Sequence, residues 1–198
     1  MRSFTGIYFF LAGLETSTGI GRLLLCAALV ILLPSCGDSP RTCFDRAVLN
    51  SNMIYDFAGQ GMERQLEAPS VKLTDAKTGA FAPMKRKEVV DDKIAFVEQS
   101  LAKVRQLRQT DDNREMVQAS IALYEYVLPV YRDDYQRLAK LYDGGAPKGA
   151  IKQLSSSIAT KYGSQFRGLS DRLTAAGKAY AARHEIQVVW DVRTSPSQ

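Results

Sequence analysis

The most regular pattern in the chain lies at residues 90–107, where Val90, Ile94, Val97, Leu101, Val104 and Leu107 recur every three or four positions. Charged residues and glutamines fill most of the gaps, so the spacing predicts an amphipathic helix with one buried stripe, which Phe96 widens on one side. Residues 113–142 repeat the pattern through Met116, Ser120, Leu123, Val127, Tyr131, Tyr135, Leu138 and Tyr142. Pro129 falls inside that helix and predicts a kink, because proline removes one backbone donor and crowds the preceding turn. Gly144, Gly145 and Pro147 then stop one helix and open the next.

The last helix is predicted over 147–183, with Ile151, Leu154, Ile158, Tyr162, Phe166, Leu169, Leu173, Ala176 and Tyr180 along one face. Gly163, Gly168 and Gly177 each cost about 1 kcal/mol there relative to alanine. Close approach of a neighbour, or a bend, would account for them. An earlier helix is predicted over 43–66 from Phe44, Val48, Ile54, Phe57 and Met62, with Gly59 and Gly61 weakening its second half. Residues 68–84, with Pro69, Gly79 and Pro83, read as a loop long enough to be mobile or functional.

After His184 the period shortens to two through Ile186, Val188, Trp190 and Val192, which predicts a strand with no evident partner in the chain. It either lies over the helices, burying Trp190, or offers its edge to another protein. Because no helix here can bury its stripe alone, the expected fold is all-α. The architecture is an antiparallel bundle of three to four helices with a short extended C-terminal segment.

The N-terminus differs from the rest. Residues 23–33 are eleven consecutive apolar residues, preceded by Arg22. That run is shorter than the roughly 18–20 residues a spanning helix needs and matches the hydrophobic region of a signal peptide. It leads into Leu33-Pro34-Ser35-Cys36.

Those four residues resemble the lipobox of bacterial lipoproteins, in which an aliphatic residue at −3 and a small residue at −1 precede an obligatory cysteine. Pro34 departs from the usual small or branched residue at its position. The resemblance covers residues 22–40 only, and the family of the mature domain is not recognised. It implies that the Cys36 thiol carries a diacylglyceryl group and that the new amino terminus is acylated too, anchoring the chain in a membrane. Several acyl chains hold firmly where one is marginal, since each buried methylene contributes about 0.8 kcal/mol. The implied organisation is a signal peptide at 1–35, a lipidated tether at 36–42, a helical bundle domain at 43–193 and a polar tail at 194–198. The lead before Arg22 is long and contains an apolar patch at 7–14, so Leu14 is a candidate true start. The implied address is the bacterial envelope, facing the periplasm. Gly37 in place of an aspartate resembles outer-membrane sorting in enteric bacteria, while Asp38 one position later leaves the inner membrane open.

Composition agrees with one exported globular domain. The 198 residues are 45% hydrophobic and 24% charged, with a net charge of +5. Without Arg2, Arg22 and Glu15 of the signal, the excess is a mild +4 interspersed with acids, not the basic face of a nucleic-acid binder. Of three cysteines, the resemblance implies that Cys26 leaves with the signal and that Cys36 is acylated. Cys43 is then alone, best placed as a small core residue.

Candidate chemistry is sparse. His184 is the single histidine, placed near a helix C-terminus where a cation is favoured. No cysteine or histidine cluster exists to hold a metal, and no cofactor motif is present. The pairs Asp91-Asp92, Asp111-Asp112 and Asp133-Asp134 diverge by about 100° on a helix and read as solvated charges or caps. The basic run Lys85-Arg86-Lys87 reads as a solvated helix start or a contact for lipid headgroups. Tyr124, Tyr131, Tyr135 and Tyr142 share one helix face. With Trp190 they form the candidate interaction face, the other reading being core filling with hydroxyls at the rim. The expected function is therefore a non-enzymatic, membrane-anchored protein that binds another protein, as an envelope accessory subunit or an immunity or inhibitor protein. The alternative is a small-molecule or lipid carrier with a cavity in the bundle.

Overall fold

The computed structural model describes residues 38–190. The expected signal peptide, Cys36 and the expected polar tail lie outside them. The described chain is mainly helical: α1 (Pro40–Ala47), a 3-10 segment (Leu49–Ile54), α2 (Gln60–Glu67), strands β1 (Val71–Asp75) and β2 (Ala80–Pro83), α3 (Arg86–Arg105), α4 (Arg114–Val130), a wide π turn (Tyr131–Tyr135), α5 (Gln136–Asp143) and α6 (Lys148–Arg183).

The single helix expected over 43–66 is corrected to two short helices joined by a 3-10 segment and a turn. Ala58 adopts a left-handed conformation (φ 51°), which ends any helix passing through it. Gly61 is required next to it, because a Cβ there would stand 2.5 Å from Cβ of Asp56. Just past Pro129 the coil widens into the π turn, in which both Tyr131 and Tyr135 are buried. The loop expected over 68–84 is a β-hairpin, so the chain is mainly α rather than all-α.

α4 packs chiefly on α6 and α3, and α3 also lies along α5 and the π turn. α1 sits against α3, α4 and α6, and α2 against α3 and α5. The core joins Phe44, Ile54, Phe57, Met62 and Leu66 of the N-terminal pieces to Val97, Met116, Leu123, Val127, Leu138, Phe166 and Leu173 of the longer helices. The predicted stripe residues are thus mostly the buried ones.

The N-terminus of α3 is capped from two directions. Glu88 reaches back to the Lys85 amide (2.8 Å), while the Asp143 carboxylate, at the end of α5, accepts from the amides of Arg86 (2.9 Å) and Lys87 (3.0 Å). Orphan amides of a helix start need such acceptors. Arg86 also folds back to donate to the carbonyls of Leu66 (3.0 Å) and Glu67 (3.4 Å). α6 runs unbroken for 36 residues, roughly 54 Å.

Position along α6 orders the molecule. Arg41 donates to the Gln187 carbonyl (3.4 Å), Val48 packs on Gly177, Ala58 reaches Gly163, and Glu67 and Arg86 share a cleft with Lys148 and Lys152. The chain therefore enters beside the C-terminal end of α6 and reaches the hairpin at the opposite end.

Candidate functional site

The tyrosines do not make a surface. Tyr124, Tyr131 and Tyr135 are buried, so the expected interaction face is corrected to core. Its spacing marks the side of the chain on which Phe57 and the N-terminal segments pack. Phe57 meets the rings of Tyr131 (5.4 Å) and Tyr135 (5.9 Å), which stack on each other at 5.1 Å. Burial pushes all three phenols upward. The Tyr135 hydroxyl accepts from the Ala58 amide (2.9 Å) and holds that left-handed residue in place. Tyr142 is half-buried and lines the cleft with Glu63, Glu67, Arg86, Lys148, Ile151 and Lys152. Trp190 lies at the far end, edge-on to Phe44 at 5.9 Å, with Lys178 over its ring. The segment after His184 therefore lies on α1 and α6 rather than pairing as a strand.

Near Trp190, Cys43, Tyr180, His184 and Asp112 form a cluster that the sequence did not bring together. Asn113 approaches the Cys43 sulfur (3.5 Å), and the Tyr180 and His184 rings are 4.3 Å apart. His184 Nε2 is 2.5 Å from an Asp112 oxygen, and Arg183 donates to the other oxygen (2.8 Å). The histidine bond, then the Arg183 bond, hold the Asp112 carboxyl below its ordinary range. Desolvation pushes the buried Cys43 thiol up. A protonated, enclosed thiol is a poor nucleophile, and the histidine is engaged by the aspartate. The cluster closes one end of the body.

Asp56 is a second buried group. Its carboxylate takes a bond from Gln65 and lies 3.7 Å from Lys93 Nζ, which donates to the Met53 carbonyl (2.8 Å). Among the described residues no group of three or more His, Cys, Asp or Glu is arranged to hold a metal ion. No helix among them is long and apolar enough to cross a membrane.

The hairpin is the outstanding surface. β1 and β2 pair antiparallel with Val71 opposite Pro83, Lys72 opposite Ala82 and Leu73 opposite Phe81. Paired residues share a face, and faces alternate along a strand. One face therefore holds Val71, Leu73, Phe81 and Pro83, and the other Lys72, Ala82, Ser70 and Met84. The apolar face is bare: Val71 is 60% exposed, Leu73 50% and Phe81 65%. The second face turns toward the helices, with Lys72 paired to Glu88 of α3. This arrangement inverts the usual one, in which a sheet packs its apolar face on the core.

The tip is closed by local hydrogen bonds. Asp75 accepts from the Lys77 amide (2.8 Å) and the Thr78 hydroxyl (2.9 Å), and its own carbonyl accepts from the Gly79 amide (2.9 Å). Those two side-chain bonds, the Lys77 amide first, hold the Asp75 carboxyl below its ordinary range. Gly79 takes the positive φ (70°) that closes the turn, and a bulge sits between Leu73 and Asp75. Under the second face lies a cleft of about 570 Å³ lined by Met53, Gln65, Ser70, Met84, Val89, Asp92, Lys93 and Phe96. The alternation Val71-Lys72-Leu73-Thr74 and the turn Asp75 to Gly79 were legible signals, outweighed by Pro69, Gly79 and Pro83.

Comparison with family models, curated proteins and solved structures returns no match for this chain.

Proposed function

We propose that this chain is an exported envelope protein, anchored in a membrane through lipid on Cys36 and facing the periplasm, that binds another protein without catalysing a reaction. Its body is an antiparallel bundle of helices, and its hairpin is the docking element. The observation that carries the reading is the inverted hairpin. Three large apolar side chains on one face lie in water, on an element fixed by a built turn and the Lys72–Glu88 pair. Clustered exposed apolar surface of this kind marks a site that a partner covers. The lipobox resemblance supplies the address, and the outer membrane is favoured over the inner.

Two measurements test the reading. Palmitate labelling and membrane recovery should both be lost in Cys36→Ser. In a mild-detergent extract the protein should migrate well above its monomer, and replacing Val71, Leu73 and Phe81 together with serine should return it to the monomer position. A wild-type protein running as a free monomer would refute partner binding.

The carrier reading is favoured by one feature, the cleft beneath the hairpin with Met53, Met84, Val89 and Phe96 in its wall. Its volume falls in the range of small-molecule sites. A small molecule retained in native mass spectra of the purified protein, and lost in Phe96→Asp, would support that reading instead.

A further inference from the structure

We infer that the hairpin recruits its partner by strand addition: a different protein lays an extended segment along the free edge of β1 and covers the apolar face with its adjoining residues. This rests on the docking reading above and adds the mode and the kind of partner.

Backbone register identifies the edge. The Met84 amide donates to the Ser70 carbonyl (2.9 Å), so Ser70 and Met84 are a hydrogen-bonded pair. Bonded and non-bonded pairs alternate in antiparallel ladders. Lys72 and Ala82 are then the next bonded pair, and the main-chain groups of Val71 and Leu73 point away from β2. No third strand joins the sheet among the described residues. The outer edge of β2 is blunted by Pro83, which has no amide to donate. β1 has no such block, and its open amides and carbonyls belong to the two residues whose side chains form the bare face. An added strand with alternate apolar residues would extend that face beside Val71 and Leu73.

Geometry selects the occupant. Residues 191–198, if they turned back toward the hairpin, would span at most about 28 Å. They start beside Gly177, which is 25 residues, or roughly 38 Å, along α6 from Lys152 at the hairpin end. Asp38, where the described residues begin, pairs with Arg46 of α1 at that same far end. A second copy pairing β1 with β1 about a two-fold axis would place both apolar faces on the same side of one sheet and leave them bare. A separate polypeptide can satisfy edge and face together.

The test places a photo-cross-linking residue at position 81 of the full-length lipidated protein in its own membranes, alone and with Leu73→Ala or Leu73→Pro. Alanine removes the side chain and keeps the edge amide, whereas proline removes both without touching the Lys72–Ala82 bonds. The expected result is one adduct heavier than the chain by a different protein's mass. Its yield should fall about a further tenfold from Leu73→Ala to Leu73→Pro, the effect of one main-chain bond. Val71→Pro removes the second outward amide and is expected to act likewise, with helical melting unchanged in each variant. Equal yields in the alanine and proline variants would overturn strand addition while leaving partner binding intact. An adduct of twice the chain's mass, an adduct to lipid, or none at all would overturn both.

Discussion

Val48 packs directly on Gly177: a Cβ added to the glycine would lie 2.9 Å and 3.2 Å from the two valine methyls and 3.4 Å from the Trp190 ring. This one contact joins the N-terminal segment, the longest helix and the C-terminal segment. Valine is stiff at χ1 and has little freedom to give way.

Gly177→Ala is therefore expected to lower stability by about 1–2 kcal/mol, the overlap exceeding the helical gain. Gly168 is on the same helix with nothing within 4 Å of an added Cβ. Gly168→Ala should raise stability by about 0.5–1 kcal/mol. Thermal melts of the two variants should move in opposite directions, and a rise for Gly177→Ala would show that Val48 yields.

Asp143→Ala removes the acceptor for the Arg86 and Lys87 amides and should cost about 1 kcal/mol in denaturant midpoints. Asp143→Asn keeps one acceptor oxygen and should lie between. Because the cap comes from α5, the loss also loosens the base of the hairpin. Hydrogen exchange at 86–90 should accelerate more than at 98–102.

Tyr131→Phe and Tyr135→Phe should differ. The Tyr131 hydroxyl is buried with no bonding partner among the described residues, so its removal should be neutral or stabilising by up to about 1 kcal/mol. The Tyr135 hydroxyl bonds the Ala58 amide, and its loss should cost about 1 kcal/mol. Equal effects on the unfolding free energies would contradict the assignment.

Asp112 sets an acid limit. Its folded carboxyl is held below the ordinary 3.8 by His184 and then Arg183. A depressed carboxyl stabilises the fold fully above its unfolded value and loses that contribution as pH falls through the folded one. Asp112→Asn should lower the melting temperature at pH 7 and narrow the difference between pH 5 and pH 3. An unchanged difference would place the acid sensitivity elsewhere.

The outward face of the hairpin is exposed, so Phe81→Ser should leave the melting temperature within about 2 °C, as expected for an exposed site. A large drop would show that the face packs on the body.

Sequence and tertiary structure contributed different things. The stripes through Val90 to Leu107 and Ile151 to Tyr180, and the stop at Gly144 and Gly145, placed the long helices within a few residues, because a helical period is a local property repeated many times. Leu33-Pro34-Ser35-Cys36 carries the lipoprotein reading for an equally local reason: an enzyme that processes such a site reads a few residues in order. Whether Tyr124, Tyr131 and Tyr135 face water or a core was not local, since an amphipathic stripe looks the same whether covered by this chain or by another. Packing of Phe57, Ile54 and Met62 decided it. The hairpin escaped because its alternation spans four residues between prolines. Its meaning depends on which face the Lys72–Glu88 pair turns inward. Only the fold could set that direction, and with it the bare face of Val71, Leu73 and Phe81.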